Sequence, residues 1–220
     1  IHQMFEPAKA RITFLKENKC LSKLHRVLEI GPGAGTMMKL FYDEGIDISG
    51  IEPDPKAAKW IEEDLNLPIF KGFFDLVYDE EKVNWKKRLF DGILFTHVLE
   101  HISNPMGFFL KLKTIMKEDA ILIIEVPNIE RPFSDDYKWE SYCDPGHLHY
   151  FSKNTLKSLL VQSGFIVELI SDTVFEPYGN LFCIAKKQNK QIALEHQIIY
   201  NNDPIEIKNI WNNYVRYHRW

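Results

Sequence analysis

The chain is poor in cysteine: Cys20, Cys143 and Cys183 are the only thiols in 220 residues. Three scattered thiols cannot build a disulfide framework or a zinc knuckle, so a buried core has to hold the fold. They read as reduced thiols in a cytoplasmic protein. Long apolar runs are absent too. The longest, near Ile121–Ile124, is strand-sized and far short of the ~18 residues of a membrane span. No signal-peptide pattern opens the sequence. Excess charge of one sign is also missing, since 27 Lys and Arg face 31 Asp and Glu for a net of −4. The densest basic run, Lys86-Lys87-Arg88, is short and reads as a solvated helix face. The expectation is therefore no nucleic-acid partner and no membrane. What remains is an ordinary globule, 45% hydrophobic and 26% charged, large enough for a sizeable core.

Within that globule the pattern is alternation. Arg26-Val27-Leu28-Glu29-Ile30 is an apolar run that ends at a glycine-rich turn. Helical spacing follows over 36–44, a second strand over 46–51, a helix over 56–65 and a weak third strand over 67–70. A fourth strand at 90–96, a helix over 105–117 and an apolar strand at 120–126 continue it. Continuous apolar strands separated by amphipathic helices predict an α/β fold with a parallel sheet covered on both faces. Residues 128–150 are long, aromatic and irregular, as segments that serve a site usually are. A helix from the Ser152 cap to Ser163 and strands at 165–170 and 181–186 then suggest an antiparallel hairpin edge. In the tail, Asp203-Pro204 reads as a helix start, and Ile207, Ile210, Trp211, Tyr214 and His218 share one helical face suited to core or subunit packing. A homodimer is one use of that face.

The turn Glu29-Ile30-Gly31-Pro32-Gly33-Ala34-Gly35 lies between strand and helix, where α/β sheets bind nucleotides and a side chain would hold a ligand off the backbone. Glu52 ends the next strand, nineteen residues past Gly33, where a carboxylate can accept both ribose hydroxyls. Together they predict an adenosine-type site. The spacing is G-x-G-x-G rather than the dinucleotide G-x-G-x-x-G, and Glu29 would repel a pyrophosphate. It suits an ammonium and a sulfonium, which favours S-adenosylmethionine (SAM) over NAD.

Val27 through Gly35, Glu52 within Gly50-Ile51-Glu52-Pro53, and Phe90-Asp91-Gly92-Ile93-Leu94 leading into His97-Val98-Leu99-Glu100-His101 resemble class I SAM-dependent methyltransferases. The stretch Gly146-His147-Leu148-His149-Tyr150-Phe151-Ser152 is similar to a bacterial subgroup with small-molecule and sugar acceptors. The resemblance implies a Rossmann-like, doubly wound, seven-stranded and mainly parallel sheet with a reversed last strand. It implies a methyltransferase domain over 1–187, leaving a helical extension at 188–220. It further implies that Glu29, Gly31, Gly33 and Gly35 hold the methionine end of SAM, Glu52 the ribose, and that Thr96 and His97 line the cofactor. Phe73 stands where many relatives carry an acidic residue for the adenine amine.

Histidines supply the remaining chemistry. His97-Val98-Leu99-Glu100-His101 matches H-x-x-E-H, which on a helix would place two imidazoles and a base around zinc, as in a hydrolase. The preceding apolar strand and the resemblance argue against that, and no metal is expected. His147 and His149, two apart, face one way on an extended segment at the carboxyl edge of the sheet. The neighbouring Phe133, Tyr137, Trp139, Tyr142 and Tyr150, with Asp135, Asp136, Glu140 and Asp144, suit a polyhydroxylated acceptor. The expectation is O-methylation of a small molecule, such as a sugar or sugar nucleotide, with His147, His149 or His101 as base and an amine as the alternative acceptor.

Overall fold

The computed structural model describes residues 2–79, 89–130, 145–174 and 179–188, with backbone alone for 2–5. The extension at 188–220 and the aromatic segment 131–144 therefore fall, apart from residue 188, outside the described residues. Seven strands, β1 (Arg26–Ile30), β2 (Asp47–Glu52), β3 (Ile69–Lys71), β4 (Phe90–Thr96), β5 (Met116–Pro127), β6 (Phe165–Ser171) and β7 (Asn180–Lys187), form one sheet. Its order is β3-β2-β1-β4-β5-β7-β6. β1 through β5 pair in parallel, and β7 runs antiparallel to both β5 and β6. The hairpin is thus real, but its second strand inserts inward. β6, with its half-exposed side chains, is left as the edge.

Period-2 alternation sorts the strands between two apolar layers. Leu28, Ile30, Ile93, Phe95, Leu122 and Ile124 face the layer shared with α4 (Phe74–Asp79), α5 (Pro105–Ile115) and α6 (Lys153–Gln162). Val27, Leu94, Ile121, Ile123, Phe182 and Ile184 face α1 (His2–Glu17), α2 (Thr36–Asp43) and α3 (Pro55–Glu63). Local chemistry sets the helix starts. Asp54 accepts from the Lys56 and Ala57 amides with Pro55 in the first turn, and Asn104 accepts from Gly107 ahead of α5. Ser152 and Thr155 form a reciprocal capping box on α6.

The largest shift from the expected boundaries is at the junction of α5 and β5. α5 stops at Ile115 and β5 begins at Met116, because Met116 is buried opposite Phe90 while Asp119 turns left-handed in a bulge ahead of Ile121. α1 and α4 were not expected at all. In α1, Ala8, Ile12 and Leu15 are buried at helical spacing, but Pro7 and the charged Arg11 interrupt that stripe. Among the described residues no helix is long and apolar enough to cross a membrane.

Candidate functional site

The carboxyl ends of β1, β2, β4 and β5 converge on one edge, and each delivers an acidic or polar side chain there. Position 29 shares the face of Val27, so Glu29 points into the layer beneath α1 and α2. It is 2% exposed, and its Oε2 has no hydrogen-bond partner. Burial pushes its carboxyl up to about 8, against a pull downward from Arg11 and the Met38 amide. A buried carboxyl with an orphan oxygen fits a cationic ligand, as the ammonium of SAM would supply.

The glycines divide their labour. A Cβ on Gly33, whose φ is +55°, would meet nothing within 4 Å, so this turn leaves open space for a ligand against the backbone. A Cβ on Gly31 would strike Val98 at 2.7 Å, and one on Gly35 would strike Leu65 and Ile61 at 2.7 and 2.9 Å. Both are also left-handed, at φ +67° and +72°, so backbone conformation and the neighbouring side chains each call for glycine at these two positions. Glu52 is 5% exposed and accepts the Gly33 amide with Oε2 and the Asp54 amide with Oε1, both at 2.8 Å. Its carboxylate therefore braces the glycine turn at the place expected for the ribose. Phe73, 66% exposed, follows β3.

Thr96 ends β4 and is half-buried. His97 after it has a φ of +55°, and its amide still donates to the Glu125 carbonyl at 2.9 Å. The ring lies between two carboxylates, Nδ1 3.4 Å from Glu100 and Nε2 3.3 Å from Glu125. Burial alone would lower its pKa, but the two carboxylates more than reverse this and hold it at about 9, as an imidazolium. Glu125, fully buried in β5, receives Arg11 of α1 bidentately at 2.7 and 2.6 Å and the Asn180 amide at 2.8 Å. Burial would raise this carboxyl; Arg11 and His97 instead bring it to about 2. Neither Arg11 nor Asn180 was singled out from the sequence. The one available signal was a glutamate inside an otherwise apolar strand.

The H-x-x-E-H stretch does not form the helical zinc arrangement. Leu99–His101 is a single 3₁₀ turn, and both His97 nitrogens are taken up by carboxylates. Residues 145–151 strap across this turn. The Leu148 and His149 amides donate to the Glu100 carbonyl at 2.8 and 3.1 Å. His101 Nδ1 is 2.8 Å from the Gly146 carbonyl and His149 Nε2 is 2.9 Å from the Ile102 carbonyl. A carbonyl only accepts, so each of these nitrogens carries a proton, and in the neutral ring the opposite nitrogen holds the lone pair. The His147 ring meets His101 edge-on at 4.8 Å between centroids, and His149 packs against Phe151. The strap thus brings the His101 and His147 rings together, while His149, two residues further on, is held against Ile102 and Phe151.

A seven-stranded sheet with its last strand reversed, a glycine turn braced by Glu52 and an orphaned Glu29 define the class of α/β proteins that bind SAM. A family model described as a methyltransferase domain matches residues 1–170, and the chain belongs to that family, as a SAM-dependent methyltransferase. A ubiquinone biosynthesis O-methyltransferase of Rhodopseudomonas palustris is 27% identical over 75% of this chain, which spans about two thirds (67%) of that relative's length. An uncharacterized methyltransferase of Staphylococcus carnosus is 29% identical, covering 86% of this chain and 88% of that protein. A SAM-dependent methyltransferase structure from Archaeoglobus fulgidus superposes with a TM-score of 0.55 at 22% identity, covering 82% of this chain and 94% of that one.

Proposed function

We propose that the protein transfers the SAM methyl group to a hydroxyl of a small molecule. The observation that carries this reading is the strap: it sets the His147 ring against His101 and holds His149 nearby in sequence, and carbonyls orient His101 and His149 so that each neutral ring offers a lone pair to a hydroxyl proton. The name of the Rhodopseudomonas palustris relative, an O-methyltransferase of ubiquinone biosynthesis, supports hydroxyl transfer. In this reading Glu29 holds the ammonium of SAM, the turn at Gly31, Gly33 and Gly35 seats its methionine end, and Glu52 takes the ribose. Thr96 and His97 wall the cofactor. SAM supplies an already activated methyl group. The chain's work is to align the acceptor with it, worth roughly 7–11 kcal/mol in favourable cases. The acceptor oxygen takes the methyl carbon as the carbon–sulfur bond breaks, and the hydroxyl proton passes to an imidazole.

The acceptor class is tested by methyl-transfer assays on ring hydroxyls, sugars, sugar nucleotides and amines. His147→Ala and His149→Ala are each expected to lower kcat by ~10²–10⁴ with SAM affinity retained, the loss expected for a general base. Turnover close to that of the unaltered protein in both variants, or transfer to amines alone, would overturn the hydroxyl reading. Transfer to sugars would support the polyhydroxylated acceptor suggested by the aromatic segment 131–144.

A further inference from the structure

The carboxylate of Glu100 is the least explained group in the molecule. The residue is 0% exposed, and no hydrogen-bond donor reaches either oxygen. Its nearest cation, His97, stands 3.4 Å from one oxygen, longer than a charge-assisted hydrogen bond. A buried carboxylate in that state is strongly disfavoured unless something else meets it. A Glu100 oxygen and ring nitrogens of His101 and His147 lie within 4.8 Å of one another.

We propose that Glu100, His101 and His147 form a binding site for a divalent transition-metal ion. The His101 tautomer supports this. With Nδ1 donating to the Gly146 carbonyl, Nε2 presents its lone pair, the arrangement that orients and strengthens an imidazole ligand. Two imidazoles and one carboxylate suit zinc, cobalt or manganese better than calcium or magnesium, which prefer all-oxygen shells. Ligand bonds of about 2.1 Å require the three atoms to close to roughly 3.0–3.5 Å, an adjustment of the order of an ångström.

This set differs from the helical H-x-x-E-H site, because His97 is held by Glu100 and Glu125 and its place is taken by His147 from 46 residues beyond His101 in sequence. The ion's role rests on the hydroxyl-transfer reading. Bound on the strap wall, it lowers the pKa of an acceptor hydroxyl that reaches its open position, leaving His149 to receive the proton.

The test reads binding without turnover, so it stands apart from the acceptor assays. Chelator-treated protein, purified without a histidine tag, is titrated with Zn²⁺ by calorimetry and with Co²⁺ by visible absorption. One saturable site is expected, with affinity lowered at least about tenfold in Glu100→Gln and in His147→Ala. His25→Ala, beside Asp91 at the far end of the sheet, should bind as the unaltered protein does. Absence of saturable binding, or equal binding in all variants, overturns the site. Should Glu100→Gln fail to fold, His147→Ala decides alone. Metal binding with transfer only to amines would keep the site and remove its role in hydroxyl activation.

Discussion

With Glu29 as the proposed partner of the SAM ammonium, its proton links cofactor binding to pH. Its carboxyl ordinarily titrates at 4.5 and in this fold at about 8. Between those values the folded chain keeps a proton that the unfolded chain has released. The contribution of Glu29 to stability is therefore greatest below 4.5 and is lost as pH rises toward 8, a swing on the order of 5 kcal/mol. A bound ammonium favours the ionised form, so SAM affinity should climb with pH across that window and level off above it. Calorimetry at pH 7 in buffers of differing ionisation enthalpy should show release of close to one proton per SAM bound; no proton release would contradict the assignment. Glu29→Gln separates function from packing. It should weaken SAM binding while raising the stability of the ligand-free protein at pH 8, whereas a purely structural glutamate would lose both.

At the scale of elements, the contact that carries the most consequence is α1 against β5. Period 2 puts Glu125 on the same face as Ile121 and Ile123, and helical spacing puts Arg11 on the buried stripe of Ala8, Ile12 and Leu15. The ion pair is thus built into the α1 interface, and from β5 it reaches His97. Removing Arg11 leaves a buried carboxylate with only His97 and Asn180 to meet it. Arg11→Met should cost about 3 kcal/mol in urea unfolding, the low end of the range for breaking a buried pair. Adding Glu125→Gln should restore part of that loss, since it removes the stranded charge. A double variant as unstable as the sum of the singles would show that the pair is not coupled. With Arg11 in place, the stabilisation from ionised Glu125 is complete above 4.5 and fades as pH falls toward 2.

Across the whole molecule, the doubly wound order β3-β2-β1-β4-β5-β7-β6 gathers the carboxyl ends of β1, β2, β4 and β5 at one edge, the edge from which the glycine turn and the turn under the strap both leave the sheet. A ligand bridging them binds only the folded chain. SAM at about a hundred times its Kd should add roughly 2.7 kcal/mol, which for a domain of this size raises Tm by about 5–11 °C. NAD at the same concentration should leave Tm unchanged, because a pyrophosphate would meet Glu29. A shift with NAD and none with SAM would reverse the cofactor assignment.

Some of this was legible in the chain because the signals are local. Apolar runs at strand length, the Ser152 cap, the glycine turn and the spacing from Gly33 to Glu52 each depend on a few neighbouring residues, and they defined the parallel sheet and its adenosine-type site. Three things were decided only by the tertiary structure. β7 lies between β5 and β6 because sheet order depends on which apolar faces the helices cover, which no strand's own pattern states. α1 escaped notice because Arg11 breaks its stripe, and a charge on a buried face reads as exposed until its partner, 114 residues away, is known. The H-x-x-E-H stretch has the spacing of a zinc helix, yet the left-handed turn at His97 and the carboxylate waiting on β5 send that ring elsewhere. Spacing along the chain sets which side chains can share a face; only the packing of distant elements sets which charges they meet there.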